Sequence, residues 1–174
     1  VANEILLSSK NTVTMLEEKL NTNREPNSFN TGAVVSAKVE VIQKQVESMN
    51  VAAMLPGSDP VLKDEFILIG AHHDHLGMGG QGSGSRALDT IAVHNGADDN
   101  ASGVAGIIEI AQKLAADKPK RTVVFMGFAA EEMGLLGSKF FTENPLVDVE
   151  NIKMMLNFDM IGRLDSTNSL TIGG

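Results

Sequence analysis

The chain has 174 residues, enough for one domain with a sizeable core and too few for two ordinary ones. It contains no Cys, Trp or Tyr, which excludes disulfides, a Cys nucleophile, a thiolate zinc site, iron–sulfur clusters and Tyr acid–base chemistry. A formal net charge of −8 argues against a phosphate-binding surface and hence against nucleic acid, and no apolar run is long enough to span a membrane.

The sequence opens Val1-Ala2-Asn3-Glu4, with neither an initiator Met nor a signal-peptide pattern, and reads as processed or excised from something longer. Apolar side chains at Val13, Leu16 and Leu20, with Asn11 or Thr12 as a cap, predict a short helix through Leu20. A polar, turn-rich stretch from Asn21 to Gly32 reads as a linker or long loop. Val35, Ala37, Val39 and Val41 alternate with polar residues, which predicts a half-buried strand. Residues 50–55 predict a second strand, antiparallel to the first, ended by Pro56-Gly57.

From Phe66 the pattern changes. Residues 66–71 form a continuous apolar run of the kind buried on both faces of a parallel sheet. Val104, Ile107, Ile108, Ala111, Leu114 and Ala115 recur at helical spacing, and that helix should end near Asp117. Residues 122–128 predict another buried strand, 135–142 a short helix and 154–158 a third buried strand. This order implies an α/β architecture with a largely parallel core and an antiparallel edge. Residues 77–82 satisfy G-x-G-x-x-G, but Ser83-Gly84-Ser85 is a poor helix start, so a ligand-shaped or flexible loop is the better reading than a dinucleotide site.

Chemistry-bearing residues follow each buried run. His72, His73, Asp74 and His75 follow the first, Glu131 and Glu132 the second, and Asp159 the third; Asp98 and Asp99 precede the long helix. In open α/β sheets ligands bind beyond the carboxyl ends of the strands. Asp99, Glu131, Glu132 and Asp159 in one crevice would repel one another unless a cation sat among them. Mixed His and carboxylate donors suit Zn²⁺, with Mn²⁺ or Co²⁺ possible, and the number of carboxylates points to two ions. Taken singly, each feature has a plainer reading: a hydrogen-bonded His72, a solvated helix start at Glu131-Glu132, an N-cap at Asn100, a turn at Asp159. His73, His75 and His94 read as loop residues.

The ordered set Gly70-Ala71-His72-His73-Asp74-His75, Gly96 to Gly103, Phe128 to Ser138 and Leu156 to Gly162 resembles the M28 family of zinc-dependent exopeptidases, over residues 50–174. The resemblance implies a three-layer α/β/α fold with a mixed, largely parallel central sheet, C-terminally incomplete, in residues 33–174. Residues 1–32 resemble the tail of a protease-associated insert, or else form an N-terminal helix packed on the sheet. The family pattern makes His72 and Asp159 ligands of one metal, Asp99 the bridging carboxylate, Glu132 a ligand of the second metal and Glu131 the general base. It has Asp74 orient His72, and it places a cis peptide at Asp99–Asn100. The family's second metal also takes a His beyond Asp159; no His follows His94, so the chain is expected to stop short of it and to be inactive by itself.

The implied function is metal-dependent removal of N-terminal residues from a peptide substrate, with two zinc ions, in a secreted or periplasmic parent. A carboxypeptidase or single-zinc acyl-transfer relative on the same fold is the enzyme alternative. A non-catalytic binding domain with a vestigial site is the other; four carboxylates kept together with His72 argue against it.

Overall fold

The computed structural model describes residues 1–42, 45–164, 166–169 and 172–173. The chain divides into two compact units, Val1–Gln45 and Val46–Gly174. The first contains α1 (Ala2–Leu6) and α2 (Val13–Asn23). Thr12 caps α2 as its sequence predicts, its hydroxyl accepting a hydrogen bond from the Met15 amide at 3.2 Å. Residues 33–42 form no strand, which corrects the expectation for Val35–Val41. Alternation defines an apolar face but supplies no partner for it: Val39 and Val41 are each 82% exposed.

The second unit is built on a four-stranded sheet in the order β1-β3-β2-β4. Its strands are β1 (Val51–Leu55), β2 (Phe66–His72), β3 (Thr122–Phe128) and β4 (Ile152–Asn157). β1 runs antiparallel to β3, not to the segment preceding it, while β2 is parallel to both β3 and β4. The sheet is therefore largely parallel with one antiparallel edge, as the sequence predicts.

Side chains alternate across β2 and β3, so each strand feeds two cores. Leu68, Val124, Met126 and Phe128 pack on one face with Phe141 of α4 (Leu136–Glu143). Ile69, Ala71, Val123 and Phe125 pack on the other with Ile107 of α3 (Gly103–Ala116). The result is three layers. Each such buried side chain is worth about 1.5–3 kcal/mol over leaving it in water, which fixes the two central strands as a rigid base.

β4 differs from its sequence reading. It lies at the sheet edge, and Met154, Met155 and Leu156 are 51%, 42% and 42% exposed. Only one side of this strand is paired, and among the described residues no further element covers its faces as fully as those of β2 and β3. The glycine-rich segment after β2 is a loop, closed by a single bridge between Met78 and Val93; no helix opens at Gly82. No helix among the described residues is long and apolar enough to cross a membrane.

Because β2, β3 and β4 are parallel, their carboxyl ends share one edge. The ladder runs on past the strands there: the His73 amide donates to the Phe128 carbonyl at 2.9 Å, and the Phe158 amide to the Gly70 carbonyl at 2.8 Å. These bonds carry the residues after each strand into the same crevice.

Candidate metal centre

His72 is the last residue of β2 and only 3% exposed. Its Nδ1 lies 3.1 Å from the backbone carbonyl of Asp74. A carbonyl can only accept, so Nδ1 donates to it, which leaves Nε2 turned into the crevice. Nε2 lies 3.2 Å from Asp99 Oδ1, 3.5 Å from Asp159 Oδ1 and 4.0 Å from Glu131 Oε2. Carboxylates gathered in this way repel one another unless positive charge, a proton on the imidazole or a bound cation, lies among them.

Asp99 reaches the crevice from the turn Ala97–Ser102, in which Asp99 and Asn100 leave helical geometry and the peptide bond between them is cis. The glycines at either end of this segment have steric reasons. Gly96 has φ +64, and a Cβ there would meet the Asp99 carbonyl at 2.9 Å and His75 Cβ at 3.0 Å. A Cβ on Gly103 would collide with the Asn100 amide and the Phe158 carbonyl. Asn100 itself is 2% exposed. Its Oδ1 accepts from the Gly103 amide at 3.0 Å, which is the N-cap bond expected of it, and also from the Met160 amide at 3.3 Å. Its Nδ2 donates to the Phe158 carbonyl at 2.9 Å. The sequence gives no sign of the two bonds to the Asp159 loop.

Glu131 and Glu132 lie on the turn between β3 and α4. Asp74 anchors that turn, accepting from the Glu131 amide at 3.0 Å and the Glu132 amide at 3.2 Å, one on each carboxylate oxygen. The expected contact between the Asp74 carboxylate and the His72 ring is longer, 3.7 Å, and it is the Asp74 backbone that bonds the ring. Asn50 braces the same turn by accepting from the Ala129 amide and donating to the Gly137 carbonyl. Burial holds the Glu131 carboxyl above its ordinary value; the carboxylates of Glu132, Asp159 and Asp74 add to the rise, and His72 opposes it.

Two groups of donors emerge, His72–Asp99–Asp159 and His75–Asp99–Glu132, each with its ligand atoms within 4.8 Å of one another and with Asp99 common to both. His75, a loop residue by its sequence, thus belongs to the site. Its Nδ1 lies 2.7 Å from Glu132 Oε1 and 3.7 Å from Asp99 Oδ1. The one hint in the sequence is its place three residues after His72, on the same side of the crevice. His73 stays outside, its Nε2 near the Met49 carbonyl, and His94 lies beyond His75, its Nε2 3.0 Å from Ser85 Oγ.

The donor set fits zinc. Ligands at about 2.0–2.2 Å in tetrahedral array stand about 3.3–3.6 Å apart, and of the 3.2 and 3.5 Å separations around His72 Nε2 one lies within that spacing and the other just below it. His and carboxylate donors with no thiolate suit a borderline cation.

Residues 50–174 match the sequence model of Peptidase family M28. Among curated proteins, the chain is 37% identical over 127 residues to a probable zinc metalloprotease of Pyrenophora teres f. teres, covering 72% of this chain and 25% of that protein. It is 34% identical over 148 residues to a probable leucine aminopeptidase 2 of Trichophyton verrucosum, covering 80% of this chain and 26% of that one. The chain thus spans about a quarter of the length of these relatives. Among solved structures, the fold matches that of a leucine aminopeptidase precursor from Bacteroides thetaiotaomicron with a TM-score of 0.52 at 23% identity, over 65% of this chain and 42% of that one.

Proposed function

The chain belongs to peptidase family M28, and from that premise we propose that its site serves a zinc-dependent aminopeptidase, hydrolysing the bond after the N-terminal residue of a peptide. The observation that carries this reading is the pair of donor groups sharing Asp99, with Glu131 beside them and outside both. His72, Asp99 and Asp159 would hold one zinc, and Asp99 and Glu132 the second. Zinc bound there would lower the pKa of a water and polarise a carbonyl.

The rest falls to the chain's own groups. Glu131 is 4.0 Å from His72 Nε2 and has a carboxyl raised by burial and like charges. A base so tuned can accept a proton from the attacking water and deliver it to the leaving amine. The surrounding carboxylates provide counter-charge for a free α-amino group, which favours an N-terminal over a C-terminal substrate end. Asp74, by holding the Glu131 and Glu132 amides, is a positioning residue in this scheme.

The test is hydrolysis of leucine p-nitroanilide by the zinc-loaded full-length parent protein, alongside the same compound with its amino group acetylated. Cleavage of the first only, abolished by a chelator and restored by Zn²⁺, is the expected result. Equal cleavage of both, or preference for a peptide's free carboxyl end, would overturn the aminopeptidase assignment.

A further inference from the structure

The loop that carries Asp159 is tied to the turn that carries Asp99 at a second place, apart from the buried amide of Asn100. We infer that Asp98 is a positioning residue for the metal centre: by gripping Gly162 and Arg163 it fixes the separation of the Asp99 and Asp159 carboxylates. The inference rests on the reading that this crevice binds zinc, and adds a residue outside both donor groups.

Asp98 and Asp99 are neighbours with opposite duties. Asp99 Oδ1 stands 3.2 Å from His72 Nε2. Both carboxylate oxygens of Asp98 are engaged by the other loop, Oδ1 accepting from the Gly162 amide at 2.9 Å and Oδ2 from Arg163 Nε at 3.0 Å. On its own side the Asp98 carbonyl accepts from Ser102 Oγ at 2.6 Å, which pins the residue to the start of α3. The Asp98 side chain is 12% exposed and that of Arg163 77%, so the carboxylate is the sheltered partner and the guanidinium the solvent-facing one.

The backbone is shaped for this grip. A Cβ on Gly162 would come within 2.8 Å of Asp98 Oδ1 and 3.0 Å of Ser102 Cβ, so any other residue would push the loop off the carboxylate. Ile161 is seated on Gly106 of α3 with as little room, since a Cβ there would meet Ile161 Cδ1 at 2.7 Å. With Phe158 and Met160 held by Asn100, residues 158 and 160–163 are each fastened to the segment 98–106. Asp159, within that run, faces His72 instead, its Oδ1 3.5 Å from Nε2. A loop held only at 158 and 160 could still rock about that short segment. A second hold at 162 and 163 removes the freedom, and groups that orient ligands in this way govern metal affinity. An ordinary surface ion pair needs neither a glycine opposite it nor a backbone amide on its second oxygen, and contributes little to stability.

Calorimetric titration of the metal-free full-length parent with Zn²⁺, and visible absorption of its Co²⁺-loaded form, test the inference. Asp98→Ala should weaken one equivalent about 10–100-fold and alter the Co²⁺ bands, which report ligand geometry. Asp98→Asn keeps an oxygen for the Gly162 amide and should recover most of the lost affinity. Gly162→Ala acts from the opposite loop and should reproduce the loss, and it carries the same reading if Asp98→Ala fails to fold by circular dichroism. The double variant Asp98→Ala/Gly162→Ala should lose no more than either alone, as residues sharing one contact do. Glu65→Gln, which breaks the ion pair with Arg121 at the other end of β2, should leave affinity and spectrum unchanged. Undiminished affinity with an unchanged Co²⁺ spectrum in the folded Asp98→Ala or Gly162→Ala protein, or an equal loss in Glu65→Gln, overturns the role of Asp98 and leaves the zinc reading standing. A parent that takes up no Zn²⁺ overturns both.

Discussion

Asn100 grips the loop of Asp159 on both sides: its amide nitrogen donates to the carbonyl of Phe158, and its oxygen accepts from the amide of Met160. The residue next to one candidate ligand, Asp99, thereby fixes the position of another that lies 60 residues on along the chain. Few arrangements set the separation of two carboxylates with so short a lever.

Replacing Asn100 by Ala would deprive the Phe158 carbonyl and the Met160 amide of their partner, while the Gly103 amide keeps the Asn100 backbone carbonyl. A loss of about 1–3 kcal/mol is expected, partly offset by water reaching these part-buried groups. Chemical denaturation of the two proteins measures it. Zinc affinity should fall about 10–100-fold in the fraction that stays folded, as when other groups that orient ligands are removed.

In the full-length parent, Glu131→Gln should keep both zinc equivalents and lose about 10²–10⁴-fold in turnover, since it removes a proton acceptor and no ligand. Retained hydrolysis would remove Glu131 from the mechanism. The metal-free proteins give a second reading. A carboxyl raised on folding binds its proton more tightly in the native state, so stability falls as pH rises from its ordinary value of 4.5 through the raised one. Above that window Glu131→Gln should melt at a higher temperature than the unaltered chain, and below it the gap should close. Thermal melts in chelator across about pH 4–8 settle the sign.

Asp98 behaves oppositely. Arg163 Nε at 3.0 Å and the Gly162 amide at 2.9 Å hold its carboxyl below the ordinary value of 3.8. Its contribution is present above that value and is lost as pH falls through the lowered one. Asp98→Asn should therefore melt earlier than the unaltered chain at neutral pH, with the difference vanishing in strong acid. Arg163 is 77% exposed, so added salt should narrow the gap at every pH.

Asp74→Asn exchanges one of two acceptor oxygens for a donor aimed at a backbone amide. The Glu131–Glu132 turn should loosen, with both zinc affinity and kcat reduced, while the His72 tautomer persists because the Asp74 carbonyl is unchanged. Ring ¹⁵N shifts of His72 distinguish this from loss of the imidazole's orientation; altered shifts would return the Asp74 carboxylate to the ring.

The central strands are legible in sequence because apolar runs of this length have no other home than a buried parallel sheet. The residues following them are legible for the same reason, since parallel strands bring their carboxyl ends to one edge. Partner choice is not. Val35–Val41 alternates as cleanly as any strand, yet β1 pairs with β3, some 70 residues away along the register Val51 to Gly127, and local pattern carries no information on that. His75 is hidden in the sequence because its place is set by a turn that begins at Gly96 and by the ring of His94 meeting it edge to face, both distant along the chain. Asn100 is half legible: its cap bond is local, and its grip on Phe158 and Met160 is not.

The pairing of β2 with β3 aligns His72 with Phe128, three residues before Glu131. Successive side chains of a strand point to opposite faces, so a slip of one residue would turn His72 away and offer Ala71 or His73 in its stead. A misregistered sheet could still bury much of its apolar surface, yet it could not gather this donor set. Uptake of a single metal ion therefore audits the register of the whole sheet, separating correctly threaded molecules from compact impostors that spectroscopy of secondary structure would count as folded.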